Sequence, residues 1–154
     1  MYDTAIDVIS ISTSLLFIAP IVIYIFYRSN ALLTLAVGSL VAATTAELIK
    51  KYITVDMPAF KRPKGARACD ILSRCGSVEH ESGMPSAHAS STAFAATYIV
   101  LTCQNSIIKV SAILYWLAVC YSRYKKNCHS PAQLVVGSVL GATLGFLATR
   151  VSPY

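Results

Sequence analysis

Apolar and polar residues separate along this chain into long apolar stretches and shorter polar connections. The predominantly apolar stretches are residues 6–27, 31–49, 84–103, 106–121 and 131–149. About 20 consecutive apolar residues are enough for a helix to cross the hydrocarbon core of a bilayer. The pattern therefore predicts an all-α, polytopic transmembrane helix bundle with about five spans, which forms one membrane-embedded domain over residues 1–154.

Small residues on two of these stretches predict close contacts between helices. The stripes recur at four-residue spacing and consist of Gly38, Ala42 and Ala46, and of Gly137, Gly141 and Gly145. Residues four positions apart lie on one face of a helix, and small side chains there let two backbones approach closely. We interpret both stripes as packing surfaces and not as chemistry.

One long polar segment, residues 50–84, interrupts the apolar pattern. Pro58 and Pro63 prevent a continuous helix there, and a loop of this length in a compact protein tends to be functional. Five spans place this loop, the N-terminus and the connection 122–130 on one membrane face. Ten of the 13 Lys and Arg residues lie on that face, and the other three are Arg28, Lys109 and Arg150. Basic loops usually face the cytoplasm, but several of these cations are candidates for substrate binding, so the orientation stays open.

The composition favours a membrane protein over a nucleic-acid-binding one. Apolar residues make up 55% of the chain and charged residues 13%, and the mean hydropathy is +0.59, which is more apolar than an average soluble domain. The net charge of +6 would suggest a nucleic acid in a soluble protein. Here the charge clusters in two loops between apolar stretches. Anionic headgroups or a phosphorylated substrate at the membrane therefore fit this charge better than a nucleic acid does.

The five cysteines do not form a metal-binding pattern, and we expect neither a metal nor another cofactor. Cys69 and Cys75 share the polar loop. They could pair if the loop faces an oxidising compartment, and two free thiols fit the sequence equally well. The cysteine pattern therefore leaves the compartment open.

Three polar clusters lie on the loop-bearing face and together contain the groups that phosphoryl transfer requires. They are Lys51 with Lys61-Arg62-Pro63, the segment 83–88, and the segment 122–133. Arginine binds phosphate oxygens with two parallel hydrogen bonds, a nucleophile attacks phosphorus from one side, and an acid protonates the leaving oxygen on the other. The predicted helix that follows Ser86 also offers free backbone N–H groups to an anion.

These clusters resemble the type 2 phosphatidic acid phosphatase superfamily, which includes the vanadium haloperoxidases and has the motifs K-x6-R-P, P-S-G-H and S-R-x5-H-x3-D. The third motif matches from Ser122-Arg123 to His129, and the second appears as Pro85-Ser86-Ala87-His88. The resemblance implies that His129 attacks phosphorus and that His88 protonates the leaving group and later activates water. It further implies a phosphate-binding set of Lys51, Arg62, Ser86, Ala87, Ser122 and Arg123.

Two positions depart from the superfamily pattern. Val55 stands where the motif has its lysine, so the phosphate-binding lysine is Lys51 or Lys50 across an insertion, or else Lys61 or Lys64. Gln133 stands where most members have aspartate, and at i, i+4 spacing it can accept a hydrogen bond from the Nδ1–H of His129. Residues 83–88 fit a Gly-Met-Pro-Ser-x-His motif and residues 129–133 fit a His-x-x-x-Gln ending, and in both features the chain is similar to the dolichyl-diphosphatase branch. The resemblance implies a lipid phosphate partner, and a location in the endoplasmic reticulum if the chain is eukaryotic.

The sequence therefore predicts a membrane-bound, metal-independent phosphatase that hydrolyses a dolichyl or polyprenyl diphosphate through a phosphohistidine. One alternative is a phosphatase for phosphatidic acid or another lipid phosphate. An alternative of a different class is a catalytically inactive lipid-binding or structural membrane protein of the same fold. A haloperoxidase is disfavoured because those relatives are soluble and this chain is strongly apolar.

Overall fold

The computed structural model describes residues 4–66, 69 and 77–151, and helices dominate them. The helices are α1 (Thr4–Ser12), α2 (Leu15–Tyr27), α3 (Asn30–Tyr52), α4 (Ala87–Thr102), α5 (Ser106–Lys125) and α6 (Pro131–Val151), with a short 3-10 helix at Pro58–Phe60. The described residues also include an isolated antiparallel bridge between Lys61 and Ser82. The all-α prediction is confirmed.

The described helices include two that are long and apolar enough to cross a membrane, α3 and α6. A third crossing is possible if α1 and α2, which meet at an angle of 50°, act as one span. Two or three apolar helices of this kind fit a membrane protein, while the count of about five spans stays a prediction.

The first predicted stretch is broken between α1 and α2. The hydroxyls of Ser12 and Thr13 donate hydrogen bonds to the carbonyl oxygens of Ile9 and Ser10, at 2.7 and 2.9 Å. Such bonds from hydroxyls back to the preceding turn compete with regular helix geometry and bend helices. The hydropathy pattern of residues 6–27 did not predict this break because it registers only how apolar the residues are.

Helix α4 packs against α3, α5 and α6, and ten of its 16 residues are buried. The glycine stripe of α6 lies directly on its backbone. A Cβ atom added at Gly141 would lie 1.9 Å from the Ser90 carbonyl oxygen, and one at Gly137 would lie 2.5 Å from that of Ser86. The predicted packing role of this stripe is therefore confirmed, and it holds the first turn of α6 beside the first turn of α4.

The polar loop folds back on itself before it enters α4. The Arg62 backbone N–H donates to the Glu81 carbonyl oxygen at 3.0 Å, and the Gly83 N–H donates to that of Phe60 at 2.8 Å. These two bonds flank the bridge between Lys61 and Ser82. As a result, two parts of the loop that are about 20 residues apart run side by side along the ends of α4 and α6.

A disulfide between Cys69 and Cys128 joins this loop to the connection between α5 and α6, with the two Cα atoms 5.4 Å apart. Both cysteines lie in a small buried cluster with Ala66 and Val78. The suggested pairing of Cys69 with Cys75 is wrong, because Cys69 is bonded to Cys128. Cys75 itself lies outside the described residues. The sequence offered no signal for this pairing, since 59 residues separate the two cysteines.

Candidate active site

His129 lies between α5 and α6, directly after the disulfide-bonded Cys128, and is only 2% exposed. Its Nδ1 atom is 3.0 Å from the carbonyl oxygen of Gly83. A carbonyl oxygen can only accept a hydrogen bond, so in the neutral ring Nδ1 carries the proton and Nε2 keeps its lone pair. This tautomer leaves the Nε2 lone pair free of a proton.

The surroundings of His129 keep its ring neutral. Burial lowers the pKa of the imidazole well below its ordinary value of 6.5. Nearby positive charges lower this pKa further, and in decreasing order of effect they belong to Arg123, Arg62, Lys50 and His88. The same charges that disfavour an imidazolium would attract a phosphate anion, so the electrostatics of the pocket favour an uncharged nucleophile beside a bound anion.

Arg123 lies in the last turn of α5 and is 1% exposed. Its guanidinium donates from Nη1 to the Ser10 hydroxyl at 2.6 Å and from Nη2 to the Cys69 carbonyl oxygen. These partners fix the plane of the guanidinium close to His129. The adjacent Ser122 is also buried, but its hydroxyl donates to the Val119 carbonyl oxygen at 2.8 Å, so the structure directs that hydroxyl into its own helix.

Arg62 is the second buried arginine of the pocket, at 7% exposure. Its Nε atom is 3.9 Å from an oxygen of Glu81. The backbone of Arg62 is fixed by the loop pairing described above, and its charge is among those that lower the His129 pKa. Two arginines from separate parts of the chain therefore converge on one histidine.

Ser86, Ala87 and His88 form the start of α4. Ser86 is the N-cap residue, and its hydroxyl oxygen accepts a hydrogen bond from the Ala89 N–H at 3.4 Å. Ala87 is the first residue of the helix, and His88 is partly exposed in the first turn. This helix end adds the partial positive charge of its dipole to the cations already present.

The structure brings Lys50, and not Lys51, to the pocket. Lys50 is 7% exposed and forms an ion pair with Glu47, and its charge lowers the His129 pKa. Lys51 is exposed, with its ammonium 5.3 Å from the centre of the Tyr52 ring. The sequence did contain a signal that favours Lys50 over Lys51. The small-residue stripe of α3 at Ala42 and Ala46 continues by one turn to position 50, so Lys50 lies on the same buried face.

Gln133 lies next to the pocket without contacting the ring of His129 through the expected hydrogen bond. Its Nε2 atom donates to the carbonyl oxygens of Phe60 and Lys61, at 3.1 and 2.9 Å. The Gly83 carbonyl oxygen takes the position at Nδ1 that the sequence assigned to Gln133. Sequence reasoning missed Gly83 because this contact uses a backbone atom.

An apolar cavity of about 450 Å³ adjoins these backbone groups. It is lined by Ile49, Thr54, Phe60, Met84, Pro85, Val136, Val139, Leu140 and Thr143. The hydroxyl of Thr54 donates to the Met84 carbonyl oxygen at 2.7 Å, which closes one wall of the cavity just before the helix start at Ser86. A charged pocket and an apolar cavity thus share the segment 83–86.

The arrangement has the character of a phosphate site. Arginines, a lysine and a helix N-terminus surround a neutral imidazole, and within the described ranges no group of three or more His, Cys, Asp or Glu side chains is placed to hold a metal ion. Cations fixed around a nucleophile can stabilise the charge that develops during phosphoryl transfer.

Comparison with known families agrees with this class of protein. The family model of the PAP2 superfamily matches residues 30–154, which is most of the chain. This chain belongs to the PAP2 superfamily, and this membership supports a phosphoester hydrolase in general. No curated protein and no solved structure gave a significant match. The superfamily resemblance is thereby confirmed, and the dolichyl-diphosphatase branch stays a prediction.

Proposed function

We propose that this protein is a membrane-bound phosphatase that removes the terminal phosphate from a dolichyl or polyprenyl diphosphate through a phosphohistidine. The observation that carries the proposal is the buried His129, whose Nδ1 is paired with a carbonyl oxygen and whose pKa is lowered by arginine and lysine charges. A neutral imidazole among fixed cations is suited to attack a bound phosphate.

In the first step, Nε2 of His129 attacks the terminal phosphorus. The new P–N bond forms while the bond between phosphorus and the bridging oxygen breaks, and the bridging oxygen takes the electron pair and a proton from His88. The ring gains positive charge in this step, and the Gly83 carbonyl oxygen beside Nδ1–H stabilises that charge. Arg123 and Arg62 neutralise the phosphoryl oxygens.

In the second step, the now neutral His88 removes a proton from water, and the water oxygen attacks the phosphohistidine. The P–N bond breaks, inorganic phosphate leaves, and Nε2 recovers its lone pair. The fixed cations supply the positive charge that a metal ion supplies in many phosphatases, so we propose a reaction that needs none.

The apolar cavity supports a lipid substrate. Its walls at Met84 and Pro85 adjoin Gly83, which pairs with His129, and Ser86, which caps α4. An isoprenoid tail in this cavity, or continuing from it into the bilayer, would leave the diphosphate at the charged pocket. An apolar cavity offers the tail surroundings similar to those of the bilayer, so the tail need not enter water when the diphosphate binds.

Phosphate release by the purified protein in detergent tests this proposal. The substrates are a polyprenyl diphosphate, phosphatidic acid and a soluble phosphoester, each with EDTA present. We expect the polyprenyl diphosphate to be hydrolysed fastest. His129→Ala should lower the rate at least about a thousandfold, because it removes the nucleophile. The matched control is His80→Ala, since the side chain of His80 is 86% exposed.

Each other outcome has a defined meaning. Faster hydrolysis of phosphatidic acid would show that the preferred substrate is another lipid phosphate and not the polyprenyl diphosphate. Absence of release from every lipid would leave a lipid-binding or structural protein of the same family. Full activity of His129→Ala would refute the role of His129 as the nucleophile.

A further inference from the structure

We propose that Gln133 is a positioning residue for the phosphate-binding Arg62, and that this task requires an amide where most of the superfamily has a carboxylate. The inference rests on the proposed function, because Arg62 matters only if the pocket binds phosphate. It also replaces the role that the sequence suggested, in which Gln133 orients His129.

The hydrogen bonds of the Gln133 side chain define which of its ends donates. Both donors of Nε2 are directed to carbonyl oxygens, those of Phe60 and Lys61. The Oε1 atom accepts a hydrogen bond from the Ser130 N–H at 3.1 Å. Carbonyl oxygens cannot donate and a backbone N–H cannot accept, so the neighbours leave one orientation for the amide. Gln133 is 2% exposed, so water does not substitute for these bonds.

The two carbonyl groups belong to the residues directly before Arg62 in the chain. On the opposite side, the same segment is held by Gly83, whose N–H donates to Phe60, and by Glu81, whose carbonyl oxygen accepts from Arg62. The segment 60–62 is thus fixed between the returning loop and the first turn of α6. A shift of its backbone would be amplified at the far end of the long arginine side chain.

A carboxylate at position 133 could not make these contacts. An ionised Glu or Asp only accepts hydrogen bonds, and here one of its oxygens would face two carbonyl oxygens in a buried place. The Lys61 carbonyl oxygen would lose its donor from position 133, and the Phe60 carbonyl oxygen would keep only the Gly83 N–H. A carboxylate at this position would orient the nucleophilic histidine. That role does not arise here, because Nδ1 of His129 pairs with the Gly83 carbonyl oxygen.

Gly83 allows an amide to replace the carboxylate at position 133. A Cβ atom at position 83 would lie 2.5 Å from Oε1 of Gln133. Only glycine therefore lets the backbone carbonyl reach His129 while the Gln133 amide occupies the space beside it. The substitution at position 133 and the glycine at position 83 belong to one arrangement.

The test compares Gln133→Glu and Gln133→Met with the control Gln104→Glu. Gln104 is exposed at the opposite end of α4, so its substitution makes the same chemical change far from the pocket. Met has nearly the shape of glutamine without donors and adds no buried charge. The readouts are KM, kcat, the inhibition constant of orthovanadate, and the rise in Tm that orthovanadate causes.

We expect both Gln133 variants to bind orthovanadate about tenfold more weakly, with KM raised more than kcat is lowered, as follows from the loss of hydrogen bonds that hold a binding group. In an Arg62→Ala background the same substitutions should add little, because their effect passes through Arg62. Gln104→Glu should behave as wild type.

A Gln133→Glu variant that matches or exceeds wild-type activity would overturn the inference, because a carboxylate would then be helping His129. The inference would also fail if the fold-losses of Gln133→Met and Arg62→Ala multiplied in the double variant, because the two residues would then act independently. If wild-type protein releases no phosphate, the proposed function fails, and the vanadate-induced rise in Tm still decides on Gln133. A rise that Gln133→Met abolishes supports the positioning role, whereas an unchanged rise, or none in the wild type, refutes it.

Discussion

At the scale of single residues, the pocket is built more from backbone atoms than the motifs suggest. The three motifs predict a pocket of histidines and arginines, and the structure brings His88, Arg62 and Arg123 close to His129. The motifs did not predict Gly83 as the partner of His129, or Phe60 and Lys61 as partners of Gln133. A carbonyl group belongs to every residue type, so the sequence carries no signal for which carbonyl turns toward a site.

The lysine of the pocket gives a prediction at this scale. Lys50→Met removes a positive charge that lowers the His129 pKa. That pKa should therefore rise toward 6.5, and the acid limb of the pH profile of kcat/KM, which reports on the free enzyme, should move to higher pH. Lys51→Met is the matched control, because Lys51 is exposed. An acid limb that stays in place in Lys50→Met, or moves only in Lys51→Met, would contradict this placement.

At the scale of helices, the small-residue stripes were the most informative part of the sequence. They predicted that α6 makes a close contact with another helix, because a missing side chain has one direct physical consequence, the approach of a neighbouring backbone. The structure shows that this neighbour is α4. Hydropathy was less informative. It located the apolar stretches but missed the bend between α1 and α2, where the hydroxyls of Ser12 and Thr13 bond to carbonyl oxygens of the preceding turn.

The contact between α4 and α6 can be tested by one added methyl group. In Gly141→Ala the new Cβ would lie 1.9 Å from the Ser90 carbonyl oxygen, which is backbone and cannot move aside alone. We expect a loss of about 1–3 kcal/mol in the free energy of unfolding and a lower Tm in detergent. Ala132→Val, which adds bulk at an exposed position of the same helix, should leave the Tm nearly unchanged. Equal Tm values for both variants would argue against this packing.

At the scale of the whole molecule, the Cys69–Cys128 disulfide joins the parts of the pocket that come from distant positions in the chain. It precedes His129 by one residue, and the Cys69 carbonyl oxygen accepts a hydrogen bond from Arg123. The sequence could not predict this link, because five cysteines without a regular spacing allow many pairings.

Removal of the disulfide should affect both stability and activity. Cys69→Ser and Cys128→Ser each open a loop of 59 residues, and a cross-link of this kind typically contributes about 2–4 kcal/mol. We expect a lower Tm and a reduced kcat/KM in both variants, measured by thermal unfolding and phosphate release, and the same losses in wild type after reduction. Cys103→Ser is the control because Cys103 is a free thiol. Unchanged activity in the cross-link variants would show that the loop holds its position without it.

The same disulfide links the direction of membrane insertion to catalytic competence. Disulfides persist in oxidising compartments and are rare in the cytosol, so the cross-link indicates that the pocket opens on the non-cytosolic side, against the direction that the basic loops alone would favour. A chain inserted the other way round would carry thiols at positions 69 and 128 and would lack the bond next to His129. Only the chain inserted with this loop in the oxidising compartment would then acquire a fully assembled pocket. If the proposed function holds, hydrolysis of the lipid would be confined to one leaflet.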